Sequence, residues 1–187
     1  MVNHVVNSHR GGRIKEFRLE ITEFDQSWFE FALAKKVEIF HSGGEKHFGY
    51  GSWFLRVPST NGLEFLKDLS LTYLHITDQD FELLISNCLA LEYLTINYSM
   101  ELTNVSIVGL SKLKHVNFSN NVEVRSLVIH DAISLTSLTL CKLNSGCTVQ
   151  LSNTPSLPNL IMKKVLMHPC LMSFSPECHL AYATNSN

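Results

Sequence analysis

The residues best suited to metal chemistry lie near the end of the sequence, where histidine and cysteine occur together. His168, Cys170, Cys178 and His179 form an H-x-C pair and a C-H pair, and imidazole and thiolate are ligands that Zn²⁺ prefers. Seven residues separate the two pairs, a gap that is not typical of structural zinc sites. We therefore favour a disordered tail over a zinc site, and we predict no metal and no cofactor.

Catalysis would need polar groups that converge on one place, and the remaining sequence shows no such set. Asp78 and Asp80 stand at the start of a predicted helix, where carboxylates stabilise the helix end without any catalytic role. His115 is predicted on a sheet surface and His130 after a strand, and the glycines lack the spacing of a phosphate-binding loop. We predict a protein with no catalytic residues.

Composition limits the class of protein further. The 187 residues are 45% apolar and 17% charged, which is typical of one folded domain. A net charge of -2 gives no electrostatic case for nucleic acid or for an anionic membrane. No apolar run approaches the roughly 20 residues that span a bilayer, and the first ten residues lack the apolar core of a signal peptide. We expect an intracellular protein of the cytoplasm, the nucleus or both.

The middle of the chain repeats the frame L-x-x-L-x-L every 11 residues. Of the 21 frame positions, only Gly146 lacks an apolar side chain. The seven copies are Leu91-Leu94-Ile96, Leu102-Val105-Ile107, Leu113-Val116-Phe118, Val124-Leu127-Ile129, Leu135-Leu138-Leu140, Gly146-Val149-Leu151 and Leu157-Leu160-Met162. A fixed period indicates one structural unit stacked on itself.

Each copy predicts a short strand, because its last two frame residues are two apart and so share one face. Eleven residues are too few for a leucine-rich coil of roughly 20–29 residues. Two copies together make a coil with two short strands on opposite sides. The alternative is a β-sandwich with regularly spaced strands.

An earlier copy sets the phase of this repeat. Leu66-Leu69-Leu71 is followed by a predicted helix that Thr77 or Asp78 can cap, with an apolar stripe that ends at Cys88. The step from Leu69 to Leu94 is 25 residues, which fits a coil with one strand and one helix. The predicted concave strands are 69–71, 94–96, 116–118, 138–140 and 160–162, and the predicted convex strands are 105–107, 127–129 and 149–151.

The predicted fold is therefore an α/β leucine-rich-repeat solenoid. It forms a right-handed arc with a concave parallel sheet, convex helices early and convex short strands late. We divide the chain into a flexible N-terminus (1–13), the repeat domain (14–165) and an irregular tail (166–187).

The start of the repeat domain is less regular. A strand-like segment runs from Ile14 to Ile21, a capping box at Ser27–Glu30 starts a helix near 28–35, and a strand follows at 37–39. The glycine-rich residues 41–62 carry several aromatic side chains. We favour an aromatic cluster over the edge of the core, with a binding loop as the alternative.

Residues 61–96 resemble the leucine-rich half of the large plant F-box/LRR family, whose repeats are similar to those of ribonuclease inhibitor, and the resemblance covers about 14–165. The matching phrases are Leu66-Lys67-Asp68-Leu69-Ser70-Leu71, Ile76-Thr77-Asp78, Leu84-Ile85-Ser86-Asn87-Cys88 and Leu91-Glu92-Tyr93-Leu94-Thr95-Ile96. The resemblance implies the substrate-recognition part of a cullin-based (SCF-type) ubiquitin ligase. It also implies an F-box that docks on the ligase adaptor. No F-box precedes Ile14, so we expect adaptor binding only where an F-box lies outside this chain.

The expected binding surface is the outward-facing side of the concave sheet. It presents mostly small, neutral hydrogen-bonding groups, with Tyr93 as the best anchor because tyrosine is enriched at binding hot spots. The candidate residues are Asp68, Ser70, Tyr93, Thr95, Asn97, His115, Asn117, Ser137, Thr139 and Asn159. We expect a protein substrate on this face. The alternatives are a truncated remnant of an F-box/LRR gene without ligase function, or a stand-alone interaction protein.

Overall fold

The structure is a computed structural model that describes residues 6, 9–20, 24–43, 53–57, 59–163, 171–174 and 181–184, with side chains up to residue 158. The described elements include helices α1 (Gln26–Ala34) and α2 (Asp78–Asn87), a 3-10 helix (Leu63–Phe65) and short strands. The strands are β1 (Glu16–Glu20), β2 (Ile39–Gly43), β3 (Trp53–Phe54), β4 (Asp68–Thr72), β5 (Leu74–His75), β6 (Tyr93–Asn97), β7 (Asn104–Val108), β8 (His115–Ser119), β9 (Ser126–His130), β10 (Ser137–Cys141), β11 (Thr148–Ser152), β12 (Asn159–Lys163), β13 (Leu171–Phe174) and β14 (Ala181–Thr184).

Eight parallel strands form a large sheet in the order β1-β2-β4-β6-β8-β10-β12-β14. Leu69 pairs with Leu94, which pairs with Val116 in turn. The same register continues to Leu138 and Leu160. The predicted order of the concave strands is therefore confirmed.

The other side of the repeat is a small parallel sheet in the order β7-β9-β11-β13. Val105 pairs with Leu127, and Leu127 pairs with Val149. These strands take the place of the helix in the earlier coil, and the predicted leucine-rich-repeat fold is confirmed. A third, two-stranded sheet joins β3 to β5.

Two strands lie beyond residue 165, where the sequence analysis predicts an irregular tail, and here the structure differs from the prediction. Strand β13 extends the small sheet and β14 extends the large one. Met172 pairs with Val149, which is 23 residues earlier and not 22, so a strict 11-residue frame is out of phase at this point. The domain limits 14–165 stay a prediction.

The interior is built from the frame residues. Each apolar frame residue from Leu91 to Leu157 is buried, with at most 3% of its surface exposed. The sixth copy departs from the frame, because Gly146 is exposed and Cys147 is fully buried. The amide of Cys147 donates to the carbonyl of Asn144, three residues before it. The amide of Leu113, the first frame residue of the third copy, makes the same bond to the carbonyl of Leu110. Cys147 is therefore the leading residue of that copy.

The helices begin where side chains satisfy their first amides. Asp25, and not Ser27 as the capping-box prediction has it, caps α1 by accepting a 2.9 Å bond from the amide of Ser27. Thr77 caps α2 by accepting a 3.1 Å bond from the amide of Asp80. Strand β2 begins at Ile39, two residues later than predicted.

Asp78 joins the helical coil to the first strand of the small sheet. Its carboxylate accepts bonds from the amides of Thr103 (2.8 Å) and Asn104 (3.0 Å) at the start of β7. In the following coil, the amides of Arg125 and Ser126 donate instead to the carbonyl of Thr103. The Asp78 carboxylate thus replaces a strand carbonyl that the helical coil does not provide.

The start of the chain and the glycine-rich segment are partly described. Gly11 O accepts a 2.6 Å bond from Lys35 Nζ, so this part of the predicted flexible N-terminus contacts the first coil. Trp53 packs against the core, in keeping with the favoured aromatic cluster, while Phe54 is 40% exposed beside the ring of His75. The aromatic residues Phe48 and Tyr50 of that cluster lie outside the described residues.

Candidate protein-binding surface

Strand alternation decides which side chains leave the core. In β4, Leu69 and Leu71 are buried, while Asp68, Ser70 and Thr72, which alternate with them, are partly exposed. The parallel register then aligns equivalent residues of neighbouring strands. We call the side of the large sheet that carries Asp68, Ser70 and their partners in register the outer face.

The structure places all ten candidate residues at outer-face positions of β4, β6, β8, β10 and β12. Nine have described side chains, and none of these nine is buried. Asn159 has the matching register position beside Ser137, but its side chain lies outside the described part of the chain.

An aromatic pair stands at the beginning of two neighbouring strands. The rings of Tyr93 and His115 stack with centroids 4.8 Å apart and planes 11° apart. Tyr93 keeps 43% of its surface exposed, and His115 is also exposed. A pre-stacked, exposed tyrosine offers a large contact area with little further loss of side-chain freedom on binding.

Small hydrogen-bonding groups occupy the middle of the outer face. Ser70, Thr95, Asn117 and Thr139 are aligned across four strands and are partly exposed. The Ser119 hydroxyl donates to Asn117 Oδ1 at 2.6 Å, which orients that amide and leaves further acceptor and donor capacity. This floor can accept an extended polypeptide without steric obstruction by large side chains.

The outer face extends further towards the N-terminus than the sequence analysis predicts. His41 on β2 aligns with Ser70, and its Nε2 lies 2.9 Å from Asp68 Oδ1. Arg18 on β1 aligns with His41 in turn and is exposed. The missed signal is the imperfect frame Val37-Phe40-Ser42, in which a buried serine stands where a leucine is expected.

A residue with positive φ directly follows each of four strands of the large sheet. Tyr73 (φ 60), Tyr98 (φ 58), Asn120 (φ 58) and Lys142 (φ 51) follow β4, β6, β8 and β10 in turn. Tyrosine is not expected in the left-handed region, and nothing in the sequence pattern marks this position. The rings of Tyr73 and Tyr98 stack at 4.5 Å with planes 13° apart, so a second aromatic pair stands where these strands end.

Charges alternate along the edge where the large-sheet strands begin. Backbone bonds stack Lys15, Glu38, Lys67, Glu92 and Lys114 in successive coils. Lys67 Nζ lies 2.9 Å from Glu38, and Lys114 Nζ lies 2.6 Å from Glu92. The hydrogen bond from Lys67 lowers the pKa of the Glu38 carboxyl, and that from Lys114 does the same for the pKa of Glu92. Both glutamates therefore stay ionised at neutral pH.

Features that would indicate catalysis or metal binding are not found where the chain is described. No group of three or more histidine, cysteine or acidic residues there could hold a metal ion. Burial, with a smaller effect from the charge of Glu64, raises the pKa of the Cys88 thiol to about 12, so this cysteine packs as an apolar residue and is not a nucleophile. The candidate zinc ligands His168, Cys170, Cys178 and His179 all lie outside the described residues. In the described part of the chain, no helix is both long enough and apolar enough to cross a membrane.

Comparisons with known proteins agree with this architecture. The family model described as FBD-associated F-box protein At5g56370, LRR repeats, matches residues 19–170. No curated protein and no solved structure matches the chain.

Proposed function

Because the chain belongs to the LRR-repeat family of the FBD-associated F-box protein At5g56370, we propose that it binds a protein partner on the outer face. In this proposal the chain is not an enzyme. Its role is that of the substrate-recognition region of a cullin-based ubiquitin ligase. An F-box elsewhere in the same protein would dock on the ligase adaptor and so bring the bound partner to the ligase.

One observation supports the outer face above the rest of the surface. The exposed Tyr93–His115 stack borders a floor of small side chains with hydrogen-bonding capacity. Binding hot spots combine an aromatic anchor with polar groups that a partner can satisfy. The small sheet offers Ser106 and Val108 on β7, but its outward side has no aromatic pair within the described residues.

We predict that a double substitution on the outer face strongly reduces capture of the partner. The tagged chain is used to retain proteins from an extract of its source cells, and the retained proteins are quantified by mass spectrometry. Tyr93→Ala with His115→Ala should reduce the retained partner at least about tenfold, because truncating an aromatic anchor costs on the order of 2 kcal/mol. Both residues are exposed, so the thermal unfolding of the chain should change little.

The matched control carries two substitutions on the opposite side, Ser106→Ala with Val108→Ala, and both of these residues are exposed. It should retain the partner as the unchanged chain does. Equal retention by all three chains, or loss only in the control, would contradict binding on the outer face.

The ligase role has its own test. The chain fused behind an F-box segment should ubiquitinate the retained partner in a reconstituted ligase. The same fusion with Tyr93→Ala and His115→Ala should not. Ubiquitination at equal rates in both fusions would contradict substrate selection by the outer face.

A further inference from the structure

The edge where the large-sheet strands begin presents cations to solvent and keeps its anions underneath. The side chains of Arg13 and Lys67, which both pair with Glu38, are 54% and 49% exposed, against 18% for Glu38. The side chain of Lys114 is 47% exposed, against 29% for its partner Glu92. An approaching molecule therefore meets ammonium and guanidinium groups before it meets carboxylates.

Among the described residues, no carboxylate is bonded to two further cations of this edge, Lys36 and Lys112. Lys36 Nζ lies 5.1 Å from the centre of the Phe65 ring, and the Arg13 guanidinium lies 5.5 Å from the same centre. Lys112 is exposed in the turn before β8, and its charge acts on Glu92. Cation–π contact helps to hold Lys36 in place without neutralising its charge, whereas Arg13 also pairs with Glu38.

The charge of this edge is positive overall, although the whole chain has a net charge of -2. We define the basic edge as residues 13–15, 35–38, 63–67, 91–92 and 109–114, which precede β1, β2, β4, β6 and β8. Seven cations stand there against the three glutamates Glu38, Glu64 and Glu92. The cations are Arg13, Lys15, Lys35, Lys36, Lys67, Lys112 and Lys114.

We propose that the basic edge binds an acidic segment of the protein partner, rich in aspartate and glutamate. The inference rests on the proposed protein-binding function and adds the chemical class of the bound segment. Charge complementarity of this kind steers association and selects the partner. Five strands at about 4.8 Å spacing give an edge of about 19 Å, which an extended segment of about six residues can follow.

The basic edge adjoins the outer face, because Tyr93 directly follows Glu92 and His115 directly follows Lys114. A partner whose acidic segment lies along the edge would bring its neighbouring residues onto the Tyr93–His115 stack. The edge and the stack are then two parts of one binding surface.

The test uses a fluorescein-labelled hexaglutamate peptide and measures its binding to the purified chain by fluorescence anisotropy. The peptide should bind, and its affinity should fall as the salt concentration rises, because exposed charges are screened by salt. Lys36→Gln with Lys112→Gln should weaken binding at least about fivefold, and Lys36→Arg with Lys112→Arg should bind as the unchanged chain does. Within the described ranges neither lysine forms a salt bridge with a glutamate, so their loss breaks no ion pair there.

The matched control is Arg125→Gln with Lys142→Gln, which removes the same charge from exposed positions outside the basic edge, before β9 of the small sheet and after β10 of the large sheet. It should change the affinity by less than about twofold. Equal weakening in the control would show a response to total charge alone and would overturn the proposal. Tighter binding of an oligothymidylate of similar charge would assign the edge to nucleic acid and would also overturn it.

Failure of the hexaglutamate to bind would overturn the acidic-segment inference. It would leave the outer-face proposal intact, since that proposal depends on the Tyr93 and His115 variants. Loss of partner capture in those variants together with absent hexaglutamate binding would identify a partner that is recognised without an acidic segment.

Discussion

Gly62→Ala is expected to lower the free energy of unfolding by about 4 kcal/mol, and so to remove much of the stability of the chain. Gly62 is buried with φ +94, a backbone conformation that side chains rarely adopt. A Cβ atom at this position would lie 2.2 Å from the carbonyl oxygen of Leu33 and 2.8 Å from its carbonyl carbon. The obstacle is the backbone at the end of α1, where Phe29 and Leu33 are packed in the core. The backbone of Leu33 cannot move away without disrupting that packing.

Gly109→Ala is the matched control for this substitution. Gly109 also has a positive φ, +75, but a Cβ atom there would meet nothing within 4 Å. The control should cost only the conformational penalty of about 1–2 kcal/mol. Urea unfolding of both variants measures the difference, and equal losses would contradict the close approach of Gly62 to Leu33.

Asn121→Leu is expected to lower the free energy of unfolding by about 2–6 kcal/mol. Asn121 is fully buried between two coils. Its Oδ1 accepts a 2.8 Å bond from the amide of Ser99, and its Nδ2 donates a 2.9 Å bond to the carbonyl of Ile96. Leucine has a similar volume but no polar atoms. A buried amide and a buried carbonyl would therefore lose their partners, at about 1–3 kcal/mol each.

The same substitution on the outer face supplies the comparison. Asn117 is partly exposed, and it accepts a bond from the hydroxyl of Ser119, which can turn to water instead. Asn117→Leu should change stability by less than about 1 kcal/mol. Differential scanning calorimetry of both variants tests this ranking. If Asn117→Leu proved the more destabilising, Asn121 could not be the bridge between coils.

Between residues 69 and 162, the repeating frame was sufficient to predict the strands of both rows, their register and their order. The apolar positions of the frame correspond to the buried residues. The constant number of residues between copies then determines which strands pair in parallel. The frame does not predict strand β13, because one additional residue places Met172 out of phase with the 11-residue repeat. In the sixth copy, the buried leading residue is Cys147, one position after the Gly146 that the frame predicts. A frame with fixed spacing cannot show such a shift of one residue.

The residues with the largest expected effects could not be recognised from the frame. Asn121 is polar, so a pattern of apolar positions does not include it, although it is as fully buried as the core leucines. Gly62 stands in a glycine-rich segment, and its constraint comes from Leu33 in another element. Such tertiary contacts leave no periodic signal.

For the proposed binding surface, alternation along the strands was enough to place Asp68 and Tyr93 on one face. The charge pairing at the basic edge was not predicted, because Glu92 and Lys114 come together only through the register between coils. The stack of Tyr73 on Tyr98 was missed because both residues have a backbone conformation that is unusual for tyrosine.

Site-specific photo-crosslinking is the measurement that most directly tests partner binding on the outer face. A photoreactive phenylalanine analogue replaces Tyr93 in one chain and Val108 in another, since the two positions have similar exposure, 43% and 50%, on opposite sheets. The chains are irradiated in source-cell extract. We predict that a single protein partner crosslinks from position 93 and not from position 108. Crosslinks to the same protein from position 108 alone, or none from position 93 while the partner is still retained, would contradict the proposed binding surface.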